Sequence, residues 1–509
     1  MKLRISKWLW GLLGVFLLFQ LLTLPFYGVN WDEGSYQYIG KRVIAYLSGQ
    51  IPYLTFEHAG LQHYGSLFNV LNIWLGTILL GYGVAYADAF HVLTVLLGSL
   101  TFLFLFIFVK SLTNTRTAFL ATLFLMLSPR FLAQLQYNVQ EIPVVALGTG
   151  AFTFFYLFFS QKKTSYAWIG ALCFGLAMTT KLSALLIIPI VLGTVGLSYL
   201  IHKPSLKILQ KDIRFLSIFF IGGIVFMYAT WPTLWGSFSA IISAFNFFFH
   251  QTIWVGTVLY FGNLYTSHQL PWHYIPFYFL VTTPLLELVF VGIGMVMVKR
   301  NKSIPLLGKI LLFVWLFLPL LASLRPGQSR YDGIRQYLII FPAMAVMAGI
   351  GLDTFIAIIH KRFVSSFAVT ACVFFLILEL VWQNAIVFPY GDAYYNEVFV
   401  AVAPKPIEQS FELEYWGVAY REGVEWLNMS AAPGAVVCVP FADHLIVYYP
   451  VRNDIRYACA KDADYLMFIS RKSYIPKDLD EVYQYTKRKP IYSVKRYDSS
   501  LLDIYYLKP

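Results

Sequence analysis

Eleven apolar runs, each about the length a helix needs to cross a bilayer, occupy this 509-residue chain between residues 8 and 387. They fall near 8–27, 84–109, 117–135, 141–159, 166–181, 183–201, 213–233, 273–298, 309–323, 335–358 and 364–387. A chain built this way can satisfy its backbone in lipid only as helices, so the expected fold is a polytopic α-helical membrane protein with about eleven transmembrane helices. Composition agrees: 58% of residues are hydrophobic, only 13% are charged and mean hydropathy is +0.64, outside the soluble globular range. The first run follows a basic start, Met1-Lys2-Leu3-Arg4-Ile5-Ser6-Lys7, as a signal peptide would. It is longer than a signal's apolar core and enters Leu24-Pro25-Phe26-Tyr27 without a small-residue cleavage site, so a retained anchor is expected.

Charge orients the spans. With a cytoplasmic N-terminus, the cytoplasmic ends and loops hold about 17 of the 38 Lys and Arg, against about 7 on the other side of the membrane portion. The remaining 14 lie beyond residue 386 beside about 16 acids, so the basic total is a topology signal and points to no nucleic-acid partner. An odd number of crossings places the C-terminal segment outside. The expected division is a transmembrane domain over 1–387 and an extracytoplasmic domain over 388–509, the latter a small α/β unit of ordinary domain size. Within it Cys438 and Cys459 permit a disulfide, or two buried thiols.

The outer face carries the chemistry. Asp32 and Glu33 follow the first span directly, in Asn30-Trp31-Asp32-Glu33-Gly34, and adjacent carboxylates at a membrane surface are costly unless solvated, paired or used. The following stretch to Leu80 is too polar in its first half to span, and its helical pieces, 35–47 and 64–80, suit the interface. Glu141 sits at the outer start of a later span, Lys181 in a tight outer turn, and Arg325, Arg330 and Arg335 in one outer loop against the positive-inside bias. Arginines and a lysine gathered on that side suit a phosphate, and carboxylates beside them suit general-base work at headgroup depth, which together suggest a lipid-linked phosphate substrate. Taken singly, each has a plainer explanation: the arginines pair with Asp332 or anionic headgroups, Lys181 snorkels, and Glu141 favours its helix N-terminus. No phosphate-binding glycine loop occurs and the cytoplasmic loops are too short for a nucleotide domain, so nucleotide sugars are poor donors.

Trp-Asp-Glu after the first span, Tyr-Asn-Val-Gln-Glu-Ile-Pro at 137–143, Gly-Leu-Ala-Met-Thr-Thr-Lys at 175–181, Trp-Pro-Thr-Leu-Trp at 231–235, Leu-Pro-Trp-His-Tyr-Ile-Pro at 270–276 and Tyr-Asp-Gly-Ile-Arg at 331–335 follow one another in an ordered series. That series resembles bacterial relatives of the dolichyl-phosphate-mannose protein mannosyltransferases, members of the fold-C integral-membrane glycosyltransferases, which also include the lipid A aminoarabinose transferase. The resemblance implies inverting transfer of a sugar, hexosyl or pentosyl, from a polyprenyl-phosphate donor to a hydroxyl acceptor outside the cytoplasm, on a protein, glycolipid or polysaccharide. By position it implies Asp32 as general base, Glu33 as the second acid of that motif and Glu141 at an acceptor or metal contact. It implies Lys181, Arg330 and Arg335 on the phosphate, with Arg325 and His273 as further contacts. An aromatic-belt role beside Trp272 and Tyr274 is the plainer reading of His273. No cofactor is secured: a divalent metal would suit the oxygens of Asp32, Glu33 and Glu141, but the ligand set is too small to assign one. The alternative class is a lipid-linked sugar flippase or transporter, for which Glu287 and Glu379 are the acids nearest mid-bilayer.

Overall fold

The structure is a computed structural model and describes residues 7–508 except 59, 251–253, 255, 363–365, 461, 472 and 474–487. The basic start at residues 1–6, the first residues of the 364–387 run and part of the C-terminal domain expected over 388–509 lie outside the described residues. Among the described residues eight helices are long and apolar enough to cross a membrane: Lys7–Phe26, Tyr86–Leu112, Glu141–Gln161, Leu182–Ile201, Leu206–Ala229, Leu306–Ser323, Arg335–Lys361 and Phe367–Ala385. Each coincides with an expected run.

The other three expected spans differ, for visible reasons. The 117–135 run is two helices, Thr115–Met126 and Pro129–Tyr137, bent by 68°. Ser128 stays extended ahead of Pro129, which opens the second helix, because a proline disfavours the helical conformation in the residue before it. The 273–298 run breaks in the same way at Thr283-Pro284, where Tyr274–Thr282 and Leu285–Arg300 meet at 111°. Counting each bent pair as one span gives ten. The eleventh expected run, 166–181, forms only the 15-residue helix Thr164–Met178, which stops before the Thr179-Thr180-Lys181 turn.

Four helices form the N-terminal quarter: α1 (Lys7–Thr23), α2 (Glu33–Leu47), α3 (Leu67–Gly81) and α4 (Tyr86–Leu112). The expected interfacial pieces therefore exist as α2 and α3. A closely packed crossing brings this region to the turn at Lys181: a Cβ on Gly65 would lie 1.3 Å from the Thr179 carbonyl oxygen, so only glycine fits.

Two small sheets complete the chain. A hairpin joins β1 (Thr257–Tyr260) to β2 (Asn263–Thr266). The C-terminal sheet contains β3 (Val436–Cys438), β4 (Arg456–Tyr457), β5 (Tyr465–Ile469), β6 (Tyr492–Arg496) and β7 (Ser499–Tyr506), in the order β4-β3-β5-β7-β6. Strand β3 runs parallel to both β4 and β5, and β7 closes antiparallel on β5 and β6. Cys438 and Cys459 form a disulfide. The sheet is tied to the helices by Arg421, whose guanidinium donates to the Tyr27 carbonyl at 2.9 Å and to Asp88 at 2.7 Å, and by the Tyr449 hydroxyl, which accepts from Val29 N–H at 2.8 Å.

Beneath this junction lies Glu414, buried and accepting from the N–H groups of Trp416 and Gly417 at 2.7 and 2.6 Å. Burial pushes its carboxyl up from 4.5 to about 7, opposed by those two donors and assisted by nearby Asp392. The folded chain therefore binds a proton that the unfolded chain has released between those values, so this contribution to stability is present at low pH and lost as pH rises through about 7. Thermal unfolding in detergent should weaken by about 3 kcal/mol between pH 4.5 and 7.5 from this group, and Glu414→Gln should remove that slope. An unchanged slope in the variant would mean that the carboxyl is ionised throughout.

Candidate active site

Asp32 occupies the N-cap position of α2, yet its carboxylate makes no capping bond to its own helix. It projects into a cavity of about 240 Å³ lined also by Tyr36, Tyr64, Lys181, Asp332, Arg335 and Arg471, with Trp31, Trp254 and Trp416 among its walls. The Asp32 side chain is 35% exposed, all the other charged partners around it being far more buried. Its main chain is held by Asn30, whose side-chain oxygen accepts the Asp32 N–H at 2.9 Å.

Arg335 is the hub of the cavity. Its guanidinium reaches Asp32 Oδ2 at 3.2 Å and Asp332 Oδ2 at 2.8 Å, and lies 4.5 Å from the centroid of the Trp416 ring. Asp332 is shared: its other oxygen takes Arg471 Nη2 at 2.8 Å. That residue adopts φ +55° just ahead of Gly333 at φ +61°, a left-handed pair of residues that aims the carboxylate back between the two arginines. Arg471 follows β5, so the C-terminal sheet delivers it, and its guanidinium also packs over Trp31 and Trp254 at 5.8 and 5.7 Å. Lys181 sits in the extended residue after the Thr179-Thr180 turn and pairs with Glu141, which opens its helix with its own N–H accepted by Asn138 at 2.9 Å.

Tyr36 lies across from Arg335, its hydroxyl donating toward Asp32 Oδ2 at 3.5 Å. Burial raises the Tyr36 hydroxyl well above its usual range, and the Asp32 charge adds to it, so it remains a donor. Burial raises Tyr64 as well, with Lys181 opposing. The cavity thus offers two carboxylates, Asp32 and the arginine-bridged Asp332, three cations and protonated tyrosines to a ligand, with indoles among its walls.

Four of the expected site residues come together here: Asp32, Glu141, Lys181 and Arg335. The other four lie elsewhere. Glu33 turns away from the cavity and is 1% exposed, accepting from Asn30 Nδ2 at 3.1 Å and from Gln37 at 3.4 Å, with His91 at 3.6 Å. Arg330 is committed to main-chain carbonyls, of Ser323 at 2.7 Å, Leu270 at 3.0 Å and Arg325 at 2.7 Å. Arg325 is exposed, and His273 is half-buried with Nδ1 2.8 Å from the Tyr260 hydroxyl, beside Trp272. The three acids do not fit a shared metal: Asp32 faces Arg335, Glu141 faces Lys181 and Glu33 faces Asn30 and His91. Among the described residues no group of three or more His, Cys, Asp or Glu comes together to hold one.

Arg330→Ala should therefore act on the fold of its loop. Three carbonyls lose a charged donor, and thermal unfolding in detergent should weaken by about 3 kcal/mol while ligand affinity of the folded fraction stays within a factor of about two. A large affinity loss at unchanged stability would return Arg330 to the ligand.

The residues that sequence reading missed are Asp332, Arg471, Tyr36 and Tyr64. Asp332 stands inside the Tyr-Asp-Gly-Ile-Arg series and was visible as a partner for arginine. Arg471 is one of 14 basic residues in a charge-balanced segment, and nothing local distinguishes it.

Residues 70–231 match the family model described as dolichyl-phosphate-mannose-protein mannosyltransferase. None of the curated protein sequences matches the chain. Two crystal structures of ArnT from Cupriavidus metallidurans share its fold: the form bound to undecaprenyl phosphate at a TM-score of 0.53, covering 98% of both chains, and the apo form at 0.56, covering 98% of this chain and 97% of that one, each at 13% identity. The apo oligosaccharyltransferase of Archaeoglobus fulgidus superposes at a TM-score of 0.55 and 12% identity over 89% of this chain and 65% of that one. The chain thus resembles the dolichyl-phosphate-mannose-protein mannosyltransferases over residues 70–231 and shares its full-length fold with the two ArnT structures.

Proposed function

We propose that the protein is an inverting glycosyltransferase that moves a sugar from a polyprenyl-phosphate-linked donor to a hydroxyl acceptor on the extracytoplasmic face of the membrane. The observation that supports this most is the single cavity in which the Asp32 carboxylate meets Arg335 at 3.2 Å, with Lys181 and Arg471 on the same walls. Asp32 takes the proton of the acceptor hydroxyl as that oxygen bonds to the anomeric carbon, from the face opposite the phosphate. The bond from that carbon to the phosphate oxygen breaks with its electron pair, and polyprenyl phosphate leaves with the added negative charge. Arg335, Lys181 and Arg471 meet that charge from side chains that are themselves largely buried, where each ionic contact is worth more than in solvent. One of the ArnT structures with this fold holds undecaprenyl phosphate, a ligand of the same chemistry.

Glu33 has a positioning role in this scheme. It fixes Asn30, and Asn30 fixes the main chain of Asp32. Glu141 orients Lys181. The N-terminus is cytoplasmic on the distribution of Lys and Arg, so α1 ends outside; the Asp32 cavity follows α1 directly and the 388–509 domain bonds to Tyr27 and Val29 at that end, so both are outside, where the Cys438–Cys459 disulfide is chemically at home.

The test is transfer of radiolabelled sugar from polyprenyl-phosphate-sugar to membrane extracts by the purified protein, with and without chelator. Label entering a glycan, lipid or protein fraction supports the reading. Binding of the donor with no transfer, together with movement of the donor between leaflets of a vesicle, would replace it with a flippase.

A further inference from the structure

A second cavity, of about 400 Å³, lies on the opposite face of α2 from Asp32. Its size falls within the range of small-ligand sites, roughly 300–1,000 Å³. Gly34, Gln37, Tyr38 and Lys41, at helical spacing along one face of α2, form one wall; Tyr86 of α4 and Tyr448 of the C-terminal domain form the other. The glycine matters, since a Cβ at Gly34 would stand 2.9 Å from the Tyr448 hydroxyl.

Two observations connect this cavity to the catalytic one. The 3-10 helix Asp443–Tyr448 runs past the first turn of α2: His444 Nε2 lies 3.1 Å from the carbonyl oxygen of Trp31, a wall of the catalytic cavity, and Tyr448 at its other end lines the second. The Tyr86 hydroxyl donates to Gln37 at 2.8 Å, Gln37 donates to Glu33 at 3.4 Å, and Glu33 holds Asn30 behind Asp32.

The lining selects a ligand. Tyr38, Tyr86 and Tyr448 supply aromatic surface that suits the C–H side of a sugar, while the Tyr448 hydroxyl and Lys41 serve its polar groups, the Gln37 amide being bonded to Tyr86 and Glu33. Lys41 is exposed and makes no ion pair with any described residue, so the one charge at the rim is an unneutralised cation. A lipid tail has no use for this polar rim. A polypeptide would not need the aromatic wall and lone cation together.

We propose that this cavity is a subsite for an acidic sugar ring belonging to the acceptor, so that the acceptor is a glycan rather than a polypeptide. The assignment to the acceptor rests on the glycosyl-transfer reading above; the carbohydrate site itself does not. A glycan chain crossing the first turn of α2 would place one hydroxyl at Asp32 and an acidic ring against Tyr448 and Lys41.

The experiment is calorimetric titration of the full-length protein in detergent with a hyaluronan tetrasaccharide, whose alternate rings carry carboxylates, and with neutral chitotetraose. Wild type, Lys41→Gln and Tyr448→Ala are compared. Wild type should bind the acidic glycan, the neutral one about tenfold more weakly, and Lys41→Gln and Tyr448→Ala should each weaken the acidic one about tenfold. Lys41 is exposed, so its variant folds even if Tyr448→Ala does not. No saturable binding of the acidic glycan, equal binding of both glycans, or binding indifferent to Lys41→Gln would overturn the proposal. Lys41-dependent binding by a protein that transfers no sugar from any polyprenyl donor would overturn the transfer reading and the acceptor assignment while leaving the carbohydrate site standing.

Discussion

Asp32→Asn should bind polyprenyl-phosphate-sugar with unchanged affinity and turn it over about 10³-fold more slowly, within the range that a general base contributes. The amide is the same shape as the carboxylate and can still accept from Arg335 and Tyr36, so the cavity should keep its form. What it loses is the ability to take a proton from the acceptor. Single-turnover transfer of labelled sugar, beside equilibrium binding of the donor, separates the two effects. Wild-type turnover would move the base elsewhere. Glu33→Gln makes the contrast: acting through Asn30, it should lower turnover less, about tenfold, and the pH profile of the remaining activity should keep its wild-type form.

Arg335→Lys should lower kcat/KM for the lipid-linked donor by about 10²-fold, although charge is conserved. The guanidinium spans Asp32 at 3.2 Å and Asp332 at 2.8 Å while its carbon stands 4.5 Å from the centroid of the Trp416 ring. An ammonium is a point charge that cannot serve both carboxylates or grip a phosphate with two parallel bonds. Product inhibition by polyprenyl phosphate should weaken in parallel, because the leaving group is the species held. A variant with wild-type kcat/KM and unchanged product inhibition would show that Lys181 and Arg471 suffice for the phosphate.

The membrane portion was legible because its signal is local. A run of apolar residues long enough to cross lipid forms a helix wherever it occurs, and eight of the expected runs are such helices. The departures were written locally too, in Ser128-Pro129 and Thr283-Pro284, but hydropathy averages over a proline that backbone sterics do not. The site was half legible. Asp32, Glu141, Lys181 and Arg335 stood out because each charge sits beside the end of an apolar run, where lipid makes an idle charge expensive. Arg330 carried the same signal and has a different task, since two carbonyls of its own loop and that of Leu270 need the donor.

The sequence by itself determined that this chain crosses a membrane many times, which end of each span carries charge, and which acid first follows an apolar span. Only the tertiary structure decided that Asp32 faces the cavity and Glu33 does not, a difference of one residue and about 100° around a helix. Only it brought Arg471 from the C-terminal sheet across to Asp332, 139 residues away in the chain. Hydropathy and helix ends are properties of contiguous residues. Which side chains share a cavity depends on how distant elements pack, and a charge-balanced segment gives no local sign of which of its arginines will be chosen.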